Sequence, residues 1–308
     1  MITVLTGGTG GAKLIVGLAR EVNPSDLTII CNTADDFVLH GLHISPDIDT
    51  IMYQLAGLGD EEKGWGIRGD TFAALGQLAL YGAETWFKLG DRDLATHLWR
   101  TESLRRGNRL SSVTRELCAA LGVEARILPM SDEPVETRVE TTEGEISFQD
   151  YFVRLGWRPE VKRVYYARIE AARPAAGVVE AIENAAAVIV SPSNPVTSIG
   201  PILAVPGVGE SLKRTSARVI GVSPIIGKTA ISGPAHSLMS AMELEPSALG
   251  VARCYHDFLD RLVIDCDDSS LKADIERLGI QVSATAIRMN SLPDKRRLAR
   301  EVLALARE

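Results

Sequence analysis

Long apolar runs are missing from this 308-residue chain. No run of about 18 apolar residues occurs, so a membrane-spanning helix is excluded. No basic flank precedes an apolar stretch of signal length at the N-terminus, and a cytoplasmic protein is expected. Cysteine is scarce: Cys31, Cys118, Cys254 and Cys266 are scattered and form no C-x-x-C pair. Neither a disulfide framework nor a zinc site is indicated, and the four read as small hydrophobes in a reducing compartment. An excess of positive charge is also lacking, since 33 Lys and Arg against 40 Asp and Glu leave a net −7. That balance argues against a nucleic-acid or anionic-membrane partner, whose recognition rests on clustered cations. A small-molecule ligand is favoured, and any phosphate it carries must be met by local donors or a metal ion. Internal repeats and low-complexity linkers are absent. What is present is ordinary for a globular protein, with 45% hydrophobic and 24% charged residues supporting a packed core.

The pattern along the chain is strand, helix, strand, then a long helical region, then alternating strands and helices. Met1 to Leu5 is a short apolar run ending at Thr6; Leu14, Ile15, Leu18 and Val22 then recur at helical spacing, and Leu27 to Cys31 returns as a strand. Two strands flanking one helix with short connections imply a βαβ unit in a parallel sheet. From Pro46 to Leu121 the amphipathic segments Ile48–Leu55, Phe72–Leu80, Leu94–Leu98 and Val113–Leu121 stand between Gly-rich or charged turns and suggest a helical insertion. Further strands are expected at Ala125–Leu128, Thr137–Thr141 with Glu145–Ser147 as a hairpin, Val161–Ile169, Ala187–Val190, Arg218–Val222 and Arg261–Ile264, with a last helix over Asp294–Ala306. The expected fold is α/β: a Rossmann-like, mostly parallel sheet flanked by helices, with residues 1–45 and 122–308 as core and 46–121 as a helical insertion over its carboxyl edge.

Thr6-Gly7-Gly8-Thr9-Gly10-Gly11-Ala12-Lys13 follows a strand and opens a helix. There backbone N–H groups and the helix dipole attract an anion, and glycine lets the main chain approach a phosphate. The stretch is neither G-x-x-x-x-G-K-[ST] nor G-x-G-x-x-G. Asn32-Thr33-Ala34-Asp35-Asp36 follows the second strand at the carboxyl edge, where open α/β sheets bind ligands. Adjacent Asp side chains in an extended segment point oppositely, so one of Asp35 and Asp36 is expected to face the ligand. Acids beside a phosphate loop make electrostatic sense if a divalent cation sits between them. Ser45-Pro46-Asp47-Ile48-Asp49 reads as an N-cap, a Pro at N1 and acids in a first helical turn. Alternatively Asp49 ligates the metal or takes a proton from an attacking hydroxyl. His40 and His43 lack further metal-type partners and read as polar loop residues. Ser191 to Gly200, after an apolar run, can read a base edge or ribose through Ser191, Ser193, Asn194 and Ser198. Val222 to Lys228, also after a strand, is expected to form a further edge loop that adds Lys228 as a phosphate-facing residue.

Together these stretches resemble the 2-phospho-L-lactate transferases, which complete the deazaflavin core of coenzyme F-420. The resemblance is carried by Thr6 to Lys13, Asn32 to Asp36, Ser45 to Asp49, Trp86 to Asp91 with Asp93 to His97, Ile127 to Asp132, Ser191 to Gly200, and Ser223 to Gly227 with Ser232 to Ala235. It implies transfer of a phospholactyl group from lactyl-2-diphospho-5′-guanosine to the ribityl hydroxyl of 7,8-didemethyl-8-hydroxy-5-deazariboflavin, with magnesium and release of GMP. It also implies that Asp49 and Lys88 hold the deazaflavin, which makes the helical insertion an acceptor-binding lid.

On this reading Gly8, Thr9, Gly10, Gly11 and Lys13 cradle the donor diphosphate, Asn32 stands beside it, Asp35, Asp36 and Asp49 supply metal ligands and acid–base chemistry, and Ser191 to Ser198 hold guanosine. A homodimer is expected, and the donor acyl group is lactate, enolpyruvate or glycerate. Two rivals exist. One is a non-catalytic regulator resembling the gluconeogenesis-factor proteins, which bind nucleotide sugars; the Trp86 to His97 stretch suits it poorly. The other is a nicotinamide dehydrogenase, which the missing G-x-G-x-x-G spacing disfavours.

Overall fold

The computed structural model describes residues 1–227, 229–230 and 234–308. Seven parallel strands form the central sheet: β1 (Ile2–Thr6), β2 (Leu27–Cys31), β3 (Arg126–Pro129), β4 (Ala187–Val190), β5 (Arg218–Val222), β6 (Arg261–Ile264) and β7 (Gln281–Ala284). Their spatial order is β7-β6-β5-β4-β1-β2-β3. The order reverses between β1 and β4, which places the topological switch point of the sheet at the ends of those two strands.

The inner strands are mostly apolar because helices cover both faces, with Thr3, Thr6 and Thr28 as buried polar residues. β2 and β4 are buried at every residue. Successive residues feed opposite cores: Val4, Ile29 and Ile189 join one cluster, and Leu5, Ile30, Val188 and Val190 the other. β7, not expected from its sequence, is an edge strand with Gln281 and Ala284 exposed, so no apolar run announces it.

Helix α1 (Gly8–Leu18) follows β1 and packs on the C-terminal helix Leu292–Leu305. Between β2 and β3 lie α2 (Pro46–Leu55), α3 (Ala73–Leu80), α4 (Asp91–Arg105) and α5 (Leu110–Ala120), matching the expected helical stretch. A small hairpin of Phe37–Leu39 and Leu42–Ile44 precedes it, turned by His40 and Gly41, both at positive φ. Glu136–Thr141 and Gly144–Ser147 form the expected hairpin, and Val161–Ala167 completes a separate antiparallel three-stranded sheet. No helix among the described residues is long and apolar enough to cross a membrane.

The α1 crossing depends on Gly17, where a Cβ would collide with the Lys295 backbone carbonyl. Gly17→Ala should cost about 1–3 kcal/mol, because neither backbone can retreat without unpacking a helix. Denaturant titration checks this, and an unchanged midpoint would show that the crossing has slack.

Candidate active site

β1 ends at Thr6, and α1 starts only two residues later, at Gly8. Gly8 has φ +66, a left-handed conformation that favours glycine. β4 runs alongside and delivers Ser191–Ser198 onto this turn. The Ser191 hydroxyl donates to Thr6 Oγ1 at 2.9 Å, and that of Ser193 donates to the Gly7 carbonyl at 2.6 Å. A Cβ at Gly10 would strike the Pro192 carbonyl, and one at Gly11 would strike Thr6 Oγ1 and lie 2.7 Å from the hydroxyls of Ser191 and Ser193. Part of the glycine richness therefore serves packing between two loops. This corrects the expectation for Gly11 and Ser191, which do not line the cavity described below. Asn194 uses its Oδ1 to accept from the N–H groups of Val196 and Thr197, at 2.9 and 3.3 Å, and so starts the helical turn Pro195–Ile199.

Two acids, Asp35 and Asp47, converge here, in an arrangement the sequence only half reveals. Asp35 lines the cavity and Asp36 does not. Asp36 turns away, accepting from the Ser45 hydroxyl at 2.6 Å with His43 Nε2 at 3.0 Å, so it is not among the cavity's carboxylates. Ser45 is thereby drawn off its expected capping role and makes no side-chain cap on α2. The partner of Asp35 is Asp47, which reads in the sequence as a routine first-turn acid. Asp47 Oδ1 accepts the Gly8 N–H at 2.7 Å, so the carboxylate sits at the N-terminus of α1 and not of its own helix. The Asn32 amide lies between the two acids, 3.1 Å from Asp35 Oδ2 and 3.0 Å from Asp47 Oδ2. Asn32 is fully buried and off the cavity wall, where its amide holds both carboxylates from behind. Asp35 Oδ1 is buried without a hydrogen-bond partner. Burial, reinforced by Asp47, holds the Asp35 carboxyl well above the usual carboxylate range. Burial likewise pushes Asp47 up to about 6.

Asp49 lies elsewhere. Both its oxygens are bound by the guanidinium of Arg100, a fully buried residue of α4, with Nη1 to Oδ2 at 3.0 Å and a second, shorter bond from Nη2 to Oδ1. The expected trio Asp35, Asp36 and Asp49 is therefore not one cluster. Among the described residues no group of three or more His, Cys, Asp or Glu side chains could hold a metal ion.

The cavity has a volume of about 660 Å³, a size suited to ligand binding. Gly8, Thr9, Gly10, Lys13, Ser193, Asn194 and Ser198 line one end, with Asp35 and Asp47. Asp49, Tyr53, Asp93 and His97, from α2 and α4, line another wall together with Lys88, Trp65 and Phe87. Phe148 and Phe152 stack at 5.4 Å, and Phe152 and Trp157 at 5.3 Å, and all three also line the cavity. This second aromatic face lies between β3 and β4 and was missed in the sequence. The only signal is an aromatic spacing, Phe148, Phe152 and Trp157, that reads equally as core. Arg288 joins the wall from the loop after β7. Lys228, Ser232 and Gly233 lie outside the described residues.

Comparison with known proteins gives a consistent result. The family model "2-phospho-L-lactate transferase CofD" matches residues 2–298. The chain is 44% identical to a 2-phospho-L-lactate transferase of Methanosarcina acetivorans, covering 98% of each protein. It is 44% identical to the enzyme of that name from Methanothermobacter thermautotrophicus, covering 98% of this chain and 97% of the relative. It is 43% identical to a phosphoenolpyruvate transferase of Streptomyces griseus, covering 100% of this chain and 98% of the relative. Among solved structures, a UPF0052-family protein from Bacillus halodurans superposes with a TM-score of 0.67 at 18% identity over 98% of each chain, a likeness of fold.

The raised Asp47 makes stability pH-dependent in a defined direction. The folded protein keeps a proton that the unfolded chain releases near pH 4, so this group's contribution is full below that pH and is lost as pH rises through about 6. Asp47→Asn removes the loss. In chelator-treated protein the variant's gain in unfolding free energy should be larger at pH 7.5 than at pH 5, by on the order of 1–2 kcal/mol. Equal gains at both pH values would mean that Asp47 is ionised throughout.

Proposed function

The chain belongs to the 2-phospho-L-lactate transferase CofD family and is a phosphotransferase, and from that premise we propose that it moves a phospholactyl-type group from a guanosine diphosphate-linked donor to the ribityl hydroxyl of 7,8-didemethyl-8-hydroxy-5-deazariboflavin. The observation that carries this reading is that one cavity joins the glycine turn at the switch point to an aromatic-walled chamber. A nucleotide alone needs the first end. A second, planar substrate accounts for the other.

The donor diphosphate rests at the N-terminus of α1, where the backbone N–H groups of Thr9 and Gly10 and the helix dipole favour negative charge, with Lys13 beside them and the Gly8 N–H held by Asp47. Asn194 and Ser198 face the guanosine end. The acceptor lies between the Phe148–Phe152–Trp157 face and Trp65 and Phe87, with Lys88 at the same wall. Its hydroxyl oxygen attacks the phosphorus that carries the acyl ester. The bond from that phosphorus to the bridging oxygen breaks, and GMP leaves. Asp49 accepts the hydroxyl's hydrogen bond, and the proton passes to it late, as in a loose phosphoryl transition state where alignment matters more than base strength.

The residues fit a magnesium ion. Asp35 and Asp47 present two buried carboxylates beside the phosphate end, one Asp35 oxygen is unpartnered, and burial raises both above the usual carboxylate range, a strain that a cation bound between them would relieve. Magnesium is commonly held by one or two carboxylates with substrate phosphates and waters completing its octahedron. When bound it neutralises charge on the diphosphate oxygens.

The relatives divide at comparable identity between the 2-phospho-L-lactate and phosphoenolpyruvate names, so the deciding assay offers the lactyl, enolpyruvyl and glyceryl donors in turn, with deazaflavin and magnesium. Phosphorylated deazaflavin and GMP should appear in equal amounts with one of them. Formation of neither product, with retention of a nucleotide sugar, would replace the transferase by a regulator of the gluconeogenesis-factor kind. Asp35→Asn should lower turnover roughly 100-fold or more at saturating substrates, consistent with loss of charge stabilisation at the phosphate, and should raise the magnesium concentration needed for half-maximal rate. Unchanged magnesium dependence would remove Asp35 from the cation site.

A further inference from the structure

We infer that Arg100 is a positioning residue for the acceptor: it fixes the Asp49 carboxylate, with His97 against its guanidinium, in the orientation that meets the acceptor hydroxyl. This rests on the proposed function and adds a residue that does not itself touch the cavity. Asp49 and Tyr53 are one turn apart on α2, and Asp93, His97 and Arg100 fall at i, i+4 and i+7 on α4. The two stripes face each other in the interior. Arg100 is fully buried and His97 is 1% exposed. The guanidinium binds Asp49 through both Nη atoms, and Nη1 also lies 3.3 Å from His97 Nδ1. His97 Nε2 is 3.2 Å from Asp93 Oδ1, which accepts the Tyr53 hydroxyl at 2.8 Å.

Two physical points favour orientation over mere helix pairing. A buried ion pair seldom stabilises a fold more than apolar side chains of the same volume would, so α2 and α4 do not need this one to pack. Meanwhile one partner of the pair, Asp49, lies on the cavity wall. A planar fork gripping both carboxylate oxygens fixes the rotation of that group about its Cβ–Cγ bond, and each oxygen keeps a further lone pair for an incoming hydroxyl. Lysine retains the charge and loses the fork.

The test compares wild-type protein with Arg100→Lys, Arg100→Gln and the double variant Asp49→Asn with Arg100→Gln, which leaves no unpaired charge and so guards against failure to fold. Binding of 7,8-didemethyl-8-hydroxy-5-deazariboflavin is read by its fluorescence without donor, and transfer kinetics with donor and magnesium. Arg100→Lys should raise the deazaflavin KM or lower kcat by about tenfold in total while the donor KM stays within about twofold, and Arg100→Gln should lose roughly 100-fold in kcat/KM for deazaflavin. The double variant should be no worse than either single change, because the two groups act as a unit. Unchanged deazaflavin kinetics in Arg100→Lys, donor and acceptor KM rising together, or additive losses in the double variant would each overturn the inference. Wild-type protein that binds deazaflavin but transfers to it from no donor would sink the proposed function alone, and weakened binding by Arg100→Lys would still support positioning. Wild-type protein that does not bind deazaflavin overturns both.

Discussion

The site depends on a close backbone approach at the switch point, where the end of β1 and the segment after β4 touch through Ser193 and Gly7. The Ser193 hydroxyl bonds the Gly7 carbonyl, and its oxygen also accepts the Gly7 N–H at 3.3 Å. Such reciprocal bonding of buried groups is stable only when every member is satisfied, and here the two main chains must nearly meet for that to happen. Gly10 and Gly11 permit it by having no Cβ. The consequence reaches α1: its first N–H groups are aimed by a turn clamped from the neighbouring strand, so the anion-attracting end of the helix is rigid before any ligand arrives. Preorganised donors of this kind are worth more than mobile ones, since nothing need be reordered when charge develops.

Strands of the sheet interior were legible because their burial on both faces makes them continuous apolar runs: β2, β4, β5 and β6 have the expected limits. Where one side is solvated the signal fades, as at β7 with its exposed Gln281. The hairpin at Phe37–Ile44 escaped notice because its turn is His40-Gly41, and not the Asn-Gly or Asp-Gly pair that announces such a turn.

Candidate site residues divide by the same logic. Asp35 and Asp36 leave a turn closed by the Asp36 N–H on the Thr33 carbonyl, not an extended strand. That Asp35 and not Asp36 lines the cavity follows from Ser45 and His43, whose hold on Asp36 is tertiary. Asp47 was hidden by a good local explanation. Acids in a first helical turn are commonplace, and no sequence rule says that the carboxylate caps a different helix. Arg100 was equally hidden, since an arginine on an amphipathic helix is ordinarily solvated, and its burial shows only when α4 is laid against α2.

α2 therefore links the two halves of the cavity, and its geometry explains how. Residues two apart on a helix project about 200° from each other, so Asp47 and Asp49 leave on nearly opposite sides. One reaches Gly8 at the phosphate end, and the other reaches Arg100 on α4. A short helix with Ile48, Ile51 and Met52 fully buried in the core has little freedom to roll. The separation between Asp47 and Asp49, which the proposed function sets at the donor and the acceptor, is thus fixed by the pitch of one rigid element. In a reaction that brings two substrates into line, that fixed spacing contributes alignment which loops on separate elements would have to regain at each turnover.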